Sequence, residues 1–254
     1  MSAIDYRVVP LGDQVIAVRV SGQAVGLFEP NVVAPVDDPD LVTPDPVAFL
    51  AQCVESGFFP SLDLARGPGA MRLLERVYDA GSMSQEWRIE LINLDLAVLR
   101  VLMSMLQARR LDAISLWSTE DGPLLPATRP PAQFPALREP LDFVLDHPEP
   151  ARPDRGRVLT VTLVREPSDD ALQALYGLLE DWVTLLLLGG YPPDGVSATS
   201  AGVIPDLAAL IDRTRVEQAF DEAFICHEDA FNPVIEGLQR YHRTRVPIVS
   251  VEIA

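Results

Sequence analysis

Lysine is absent from this sequence of 254 residues, so all 20 side chains counted as lysine or arginine are arginines. Without lysine the protein has no Schiff-base amine, no lysine base of lowered pKa and no P-loop lysine over nucleotide phosphates. The preference for arginine has a simple explanation in GC-rich codon use. The absence therefore excludes several enzyme classes without indicating a function.

Other catalytic motifs are absent as well. The sequence has no GxGxxG after a predicted strand, no GxSxG nucleophile elbow, no HExxH zinc motif and no calcium-binding loop. We therefore expect no cofactor and no metal, and the sequence favours a protein that is not an enzyme.

Cysteine is scarce, and Cys53 and Cys226 form neither a CxxC pair nor a disulfide framework, which favours a reducing compartment. The first residues show no basic segment followed by a long apolar run, so no signal peptide is predicted. The most apolar stretch, residues 172–188, contains Glu180 and Asp181 and is shorter than the about 20 residues of a membrane span. We expect a cytoplasmic protein with no membrane partner.

Carboxylates outnumber basic side chains, 37 against 20, which gives a formal net charge of -17 at pH 7. A field of this sign repels phosphate backbones and attracts positively charged proteins. We therefore expect no nucleic-acid partner and favour another protein, basic in charge, as the partner. Composition alone leaves open whether the acidity serves binding or only solubility.

The chain is apolar enough to fold, because hydrophobic residues make up 48% of it. Many prolines lie between residues 120 and 156, and they exclude long helices and central strands there. We predict a connector over residues 120–156, between an N-terminal module of residues 1–119 and a C-terminal module of residues 157–254. Apolar side chains such as Phe134 and Phe143 indicate that part of the connector packs on the body of the protein.

The N-terminal module is predicted to mix strands and helices. Alternating apolar positions predict a strand where Trp87, Ile89 and Leu91 occur, and Pro46 is well placed to begin a helix. The predicted strands are residues 8–9, 15–20, 24–28, 86–91 and 113–117, and the predicted helices are residues 46–54, 70–78 and 94–109.

The C-terminal module has a similar predicted composition. Its strands are residues 158–164, 196–203 and 248–253, the last burying Val249, Val251 and Ile253, and its helices are residues 169–188 and a segment beginning at Asn232 and Pro233. Residues 214–225 fit two patterns. Thr214 and Glu217 match a capping box and favour a helix, whereas Val216, Phe220 and Phe224 also share one face of a strand.

The predicted fold class is α+β, with two packed α/β-sandwich-like modules joined by the proline-rich connector. Each module contains a strand, a long buried helix and a returning strand, for which a ferredoxin-like arrangement is the candidate. No residue motif is shared by the two halves, and the strand order stays open.

Cys226, His227 and Glu228 are the candidates for catalysis, because a thiol and an imidazole adjoin only here. Neighbouring residues point to different sides of a strand or helix, so this arrangement is poor for a thiolate–imidazole pair. A buried structural cysteine beside a surface histidine is the favoured interpretation.

The favoured function is a non-catalytic acidic module that captures a basic protein, as a bacterial immunity or inhibitor-type protein would. The candidate contact residues are Asp37, Asp38, Asp40, Glu217, Asp221 and Glu222. An alternative is a small-molecule-binding protein or enzyme with a pocket between the two halves. A third is a homo-oligomeric structural subunit.

Overall fold

The chain forms two compact units, described here from a computed structural model. Unit 1 comprises Met1–Glu55 and Phe59–Phe134, and unit 2 comprises Ser56–Phe58 and Pro135–Ala254. The structure describes residues 14–21, 45–95, 97–108, 113–118, 133–137, 140–147, 156–193, 202–203, 205–220 and 224–254. Helices and strands occur in both units, which confirms the α+β class.

Unit 1 has one antiparallel sheet in its described part. The elements in chain order are β1 (Gln14–Ser21), α1 (Pro46–Ser56), β2 (Ala70–Asp79), β3 (Ser84–Ile92), α2 (Val98–Gln107) and β4 (Ala113–Ser118). The strands lie in the order β2-β3-β1-β4, and each neighbouring pair is antiparallel. The connectivity β-α-β-β-α-β is the one described for ferredoxin-like modules.

Alternation along the central strands builds the core of unit 1. On β1, Val18 and Val20 are buried, and on β3, Trp87 and Ile89 are buried on the same face of the sheet. Helix α2 is buried along most of its length. The predicted strands at residues 15–20, 86–91 and 113–117 and the helix that begins at Pro46 are therefore confirmed.

The prediction of a helix over residues 70–78 is wrong, because this segment belongs to strand β2. The spacing of Leu73, Leu74 and Val77 suits a helix, but pairing with β3 along the whole strand outweighs it. A bulge between Leu73 and Glu75 interrupts the alternation that would have revealed the strand.

Unit 2 contains a larger sheet. Its elements in chain order are β5 (Val144–Asp146), β6 (Arg157–Leu163), α3 (Asp169–Leu187), β7 (Gly202–Val203), β8 (Ala209–Leu210), β9 (Arg215–Phe220), β10 (Phe224–Ile225), α4 (Asn232–Thr244) and β11 (Ile248–Ile253). The described strands of the main sheet have the order β5-β11-β6-β9-β8. Strand β5 is parallel to β11, the other neighbours are antiparallel, and β7 pairs with β10 separately.

In the residues that the structure describes, the two units repeat one connectivity. Without β5, β7 and β10, the elements of unit 2 run β6-α3-β8-β9-α4-β11, and the strands lie in the order β8-β9-β6-β11. If the four strands of each unit are numbered 1 to 4 along the chain, both sheets have the order 2-3-1-4. The modules are therefore related in topology, although they share no residue motif.

The helices of unit 2 cover one face of its sheet. Trp182 of α3 packs edge-on against Phe220 of β9, with 5.4 Å between ring centroids. Helix α4 lies beside α3, since the Tyr241 hydroxyl donates to the Ala171 carbonyl oxygen at 3.1 Å. Helix α3 begins at the predicted cap, where the Ser168 side chain accepts from the Ala171 amide.

Two local predictions for unit 2 are wrong. Within the segment favoured as a helix over residues 214–225, residues 215–220 and 224–225 form β9 and β10, and the three apolar side chains that fitted either pattern are buried in those strands. The strand at residues 248–253 is confirmed, but Val249 is 48% exposed instead of buried, because a register shift between Ile248 and Ser250 changes the alternation there.

Parts of the predicted connector are packed, since Phe134 and Phe143 are buried. The predicted module boundaries stay predictions, because residues 119–132 and 151–155 lie outside the described part. So do the strands predicted at residues 8–9 and 24–28 and most of the one at residues 196–203. Among the helices that the structure describes, none is long and apolar enough to cross a membrane.

Candidate functional site

The Cys226–His227–Glu228 segment follows β10. Burial raises the pKa of the Cys226 thiol to about 12, so the thiol is neutral at physiological pH. A neutral thiol is a weak nucleophile, because the thiolate is the reactive form.

His227 begins a short 3-10 turn over Glu228–Phe231. Its Nδ1 accepts a hydrogen bond from the Asp229 amide at 3.1 Å, and its own amide donates to the Tyr191 carbonyl oxygen at 3.0 Å. The same Nδ1 also lies 3.4 Å from Asp229 Oδ2. These contacts make His227 a cap of the turn, which is a structural role.

Asp229 and Asn232 continue this structural network. The Asn232 side-chain amide donates to Asp229 Oδ1 at 3.0 Å and to the Pro135 carbonyl oxygen at 3.2 Å. Within the described ranges, no group of three or more His, Cys, Asp or Glu side chains is placed to hold a metal ion.

A cluster of aromatic rings anchors the same segment. Phe231 stacks on Phe224 with 4.8 Å between ring centroids and lies 5.3 Å from Trp182. The Trp182 indole N–H donates to the Ala230 carbonyl oxygen at 2.8 Å. The cluster therefore fixes the segment after β10 against α3 in apolar packing.

Of the predicted acidic contact residues, the structure describes only Glu217. Asp37, Asp38, Asp40, Asp221 and Glu222 lie outside the described residues. Glu217 lies near the middle of β9, half-buried, and its Oε1 is 3.5 Å from Arg215 Nη2. It alternates with the buried Val216 and Gln218, so it belongs to the sheet face opposite the helices.

The strand register brings further carboxylates onto this face. Glu252 of β11 is opposite Asp146 of β5 on one side and Thr160 of β6 on the other, and Thr160 is opposite Glu217. We call these four residues, Asp146, Glu252, Thr160 and Glu217, the acidic row. Asp146 and Glu252 are exposed, and Glu217 and Thr160 are half-buried.

Two like charges in the acidic row are direct neighbours. Asp146 and Glu252 occupy paired positions on adjacent strands, which lie about 4.8 Å apart. Carboxylates opposite each other in a sheet repel and lower its stability. A cation bound between them removes that repulsion, so the row is suited to an arginine or lysine side chain.

The equivalent face of unit 1 carries two ion pairs between neighbouring strands, whereas in the acidic row Glu217 pairs with Arg215 of its own strand. Arg72 pairs with Glu90 and Arg88 pairs with Glu75, each with 3.4 Å between nitrogen and oxygen. An open depression of about 540 Å³ lies on this face, lined by Val15, Leu74, Glu75 and Arg88. Its two charged side chains already neutralise each other, so we assign no ligand to it.

Of the three carboxylates in the acidic row, only Glu217 is named from the sequence as a candidate contact, and Asp146 and Glu252 are not. Asp146 lies inside the proline-rich segment. The pairing of this segment with β11 could not be predicted, because no local pattern in the sequence indicates it. Glu252 does carry a signal, because it alternates with the buried Val251 and Ile253. Strand order was needed to place it beside Glu217.

Comparison with known proteins gives no assignment. No protein-family model matches the sequence, and no curated protein matches it. A solved structure titled "Crystal Structure of an Unknown Protein from Galdieria sulphuraria" is 12% identical and covers 95% of this chain and 98% of that chain. Its TM-score of 0.21 is too low to support an argument about fold or function.

Proposed function

We propose that this protein is a non-catalytic binding module that captures a basic protein through the acidic row of unit 2. The observation that carries the proposal is the register that aligns Asp146 and Glu252 with Glu217 across four neighbouring strands of one sheet. A bacterial immunity or inhibitor-type protein in the cytoplasm is the concrete form of the proposal.

The acidic row has the physical properties that such a surface requires. Its side chains stand on hydrogen-bonded strands, so the backbone loses little conformational freedom when a partner binds. The Asp146 and Glu252 carboxylates are exposed and accept hydrogen bonds from arginine or lysine, and the Thr160 hydroxyl lies between Glu252 and Glu217. The formal charge of -17 adds long-range attraction for a basic protein.

Catalysis has less support in the described residues. The only cysteine considered for it, Cys226, is held as a neutral thiol, and the neighbouring His227 caps a turn through Nδ1. Binding therefore accounts for the arrangement better than chemistry does.

The experiment is a comparative capture from an extract of the cells that produce the protein. Three immobilised baits are used, namely the wild type, the row variant Asp146→Asn/Glu217→Gln/Glu252→Gln, and the control Glu166→Gln/Asp170→Asn/Glu180→Gln. The control removes the same number of charges from exposed positions at and before α3. Proteins retained by each bait are quantified by mass spectrometry.

The proposal predicts a basic protein that the wild type and the control retain, that the row variant loses, and that salt releases. A partner held equally by all three baits contradicts the acidic row as the binding surface. Retention of acidic or uncharged partners alone contradicts capture by charge.

A further inference from the structure

Strand β2 forms an outer edge of the sheet in unit 1. In the described part of the chain it pairs with β3 alone. Met71 is buried, but the other large apolar side chains of this ten-residue strand are open to solvent: Leu73 is 39% exposed, Leu74 53%, Val77 49% and Tyr78 38%. A long apolar edge strand is a template for pairing with another chain.

Unit 2 has the same connectivity and protects the corresponding edges. The strand equivalent to β2 is β8, which has two residues, and the opposite edge strand, β11, is covered by β5. The exposure of β2 is therefore not imposed by the topology. It is a property of this strand, which combines length with outward apolar side chains.

The charges of β2 favour a second copy of the same strand. The strand carries two arginines, one glutamate and one aspartate, so it is neutral in a chain whose formal charge is -17. Two molecules repel each other least where such a neutral segment meets its counterpart.

Two copies of β2 that lie side by side and antiparallel also have complementary charges. In the register that places Arg72 opposite Glu75 of a second copy, Met71 lies opposite Arg76, and Leu73 and Leu74 meet at the two-fold axis. Arg72 and Glu75 lie on the same face, where each already pairs with β3, Arg72 with Glu90 and Glu75 with Arg88, at 3.4 Å. The contacts with a second copy therefore extend two existing ion pairs into one network. The bulge between Leu73 and Glu75 lies at the axis, so each half keeps a regular register.

We propose that two copies of this protein associate through β2, edge to edge and antiparallel, into one continuous sheet with a two-fold axis at Leu73 and Leu74. Main-chain hydrogen bonds hold the two strands, and the Arg72–Glu75 pairs set the register. This association uses unit 1 and is independent of partner capture by unit 2.

The mass in solution tests the proposal. Sedimentation at about 100 µM protein and about 0.15 M salt is expected to give twice the mass of one chain. The variant Leu74→Lys/Val77→Lys is expected to sediment as one chain, because lysine on an edge strand blocks pairing. Both substitutions lower the net negative charge, so stronger general repulsion cannot explain a monomer.

The control variant Ile211→Lys/Val249→Lys adds the same charges at apolar positions of similar exposure, 50% and 48%, in unit 2. It is expected to remain a dimer. Hydrogen exchange locates the contact, since amides of residues 70–79 are expected to exchange more slowly in the wild-type dimer than in the β2 variant. A monomeric wild type, a folded β2 variant that still dimerises, or equal exchange at β2 overturns the proposal.

A mixing experiment tests the register. Arg72→Glu alone and Glu75→Arg alone each place like charges opposite each other and are expected to weaken the homodimer about tenfold. A mixture of the two variants restores both opposite-charge pairs and is expected to form heterodimers of near wild-type affinity. General destabilisation of the monomers cannot produce that recovery, and a mixture as weak as its components overturns the register.

Discussion

Trp87 donates its indole N–H to Asp45 Oδ2 at 3.1 Å, which ties the centre of β3 to the start of α1 in unit 1. The same carboxylate caps the helix, because Oδ1 accepts from the amides of Val47 at 2.8 Å and Ala48 at 3.1 Å. Arg76 of β2 lies 3.3 Å from Oδ2, and both side chains are largely buried. One residue just before α1 therefore organises a helix and two strands.

Asp45→Ala is expected to lower the free energy of unfolding by about 2–4 kcal/mol, since it removes a helix cap and leaves Arg76 and the Trp87 indole without their carboxylate partner. Asp95→Ala is the control, because Asp95 also accepts from a backbone amide, that of Ala97 at 2.8 Å, but is exposed. Urea unfolding checks both variants, and equal losses contradict the role assigned to Asp45.

Two helical glycines are expected to respond in opposite directions to alanine. A Cβ at Gly177 of α3 meets nothing within 4 Å, so Gly177→Ala is expected to raise the free energy of unfolding by about 0.5–1 kcal/mol. A Cβ at Gly237 of α4 lies 2.9 Å from Phe58 Cδ1 and 3.0 Å from Leu178 Cδ1, so Gly237→Ala is expected to lower it by about 1–3 kcal/mol.

Denaturant unfolding of both variants checks this prediction. If Gly237→Ala is as stable as the wild type, the result contradicts the close packing of α4 against Phe58 and Leu178. A loss of stability in Gly177→Ala contradicts the open position described for α3.

His147 predicts a dependence of stability on pH. Partial burial and then the nearby charge of Arg157 lower the pKa of His147 below its usual 6.5, and its ring lies 5.9 Å from that of Phe231. Between the lowered pKa and 6.5 the unfolded chain binds more protons than the folded one. The contribution of the neutral His147 ring to the free energy of unfolding is therefore complete above pH 6.5. It is lost as the pH falls from 6.5 through the lowered pKa of the folded protein.

The free energy of unfolding is to be measured at pH 7.5 and pH 5.5 for the wild type and for His147→Gln. The wild type is expected to lose more stability on acidification than the variant, and an NMR titration is expected to show an imidazole pKa below 6.5. Equal losses, or a raised pKa, contradict the environment described for His147.

The thiol of Cys226 is expected to resist alkylation in the folded protein. With a pKa of about 12 it supplies little thiolate at pH 8, and Cys53 is buried in α1. Iodoacetamide is expected to modify both cysteines quickly in urea and slowly in buffer, as followed by mass spectrometry. Rapid modification of Cys226 in buffer reopens the question of a reactive thiol.

The sequence allowed prediction of those elements whose periodicity is regular and whose ends carry local signals. The strand containing Trp87 alternates cleanly, and α3 has both a serine cap at Ser168 and glycines after its end. The segments at residues 70–78 and 214–225 were predicted wrongly because their apolar spacing fits a helix as well as a strand. Only pairing with a neighbouring strand, a contact distant in sequence, decides between the two.

The candidate site shows the same limit. Glu217 is visible in the sequence as one carboxylate among many, and Glu252 as an exposed position in a strand. Their alignment with Asp146 depends on the order β5-β11-β6-β9, which no local pattern reports. The duplicated connectivity is likewise visible only in the strand order, since the two units share no motif.

If the acidic row captures a basic protein, the rate of association with that partner is to be measured first, as a function of salt. Stopped-flow mixing compares the wild type, the row variant and the control that lacks three other carboxylates. The row variant is expected to associate more slowly by about tenfold or more with a shallower salt dependence, while the control stays close to the wild type. Equal rates and equal salt dependence for the row variant and the control would contradict capture by the acidic row.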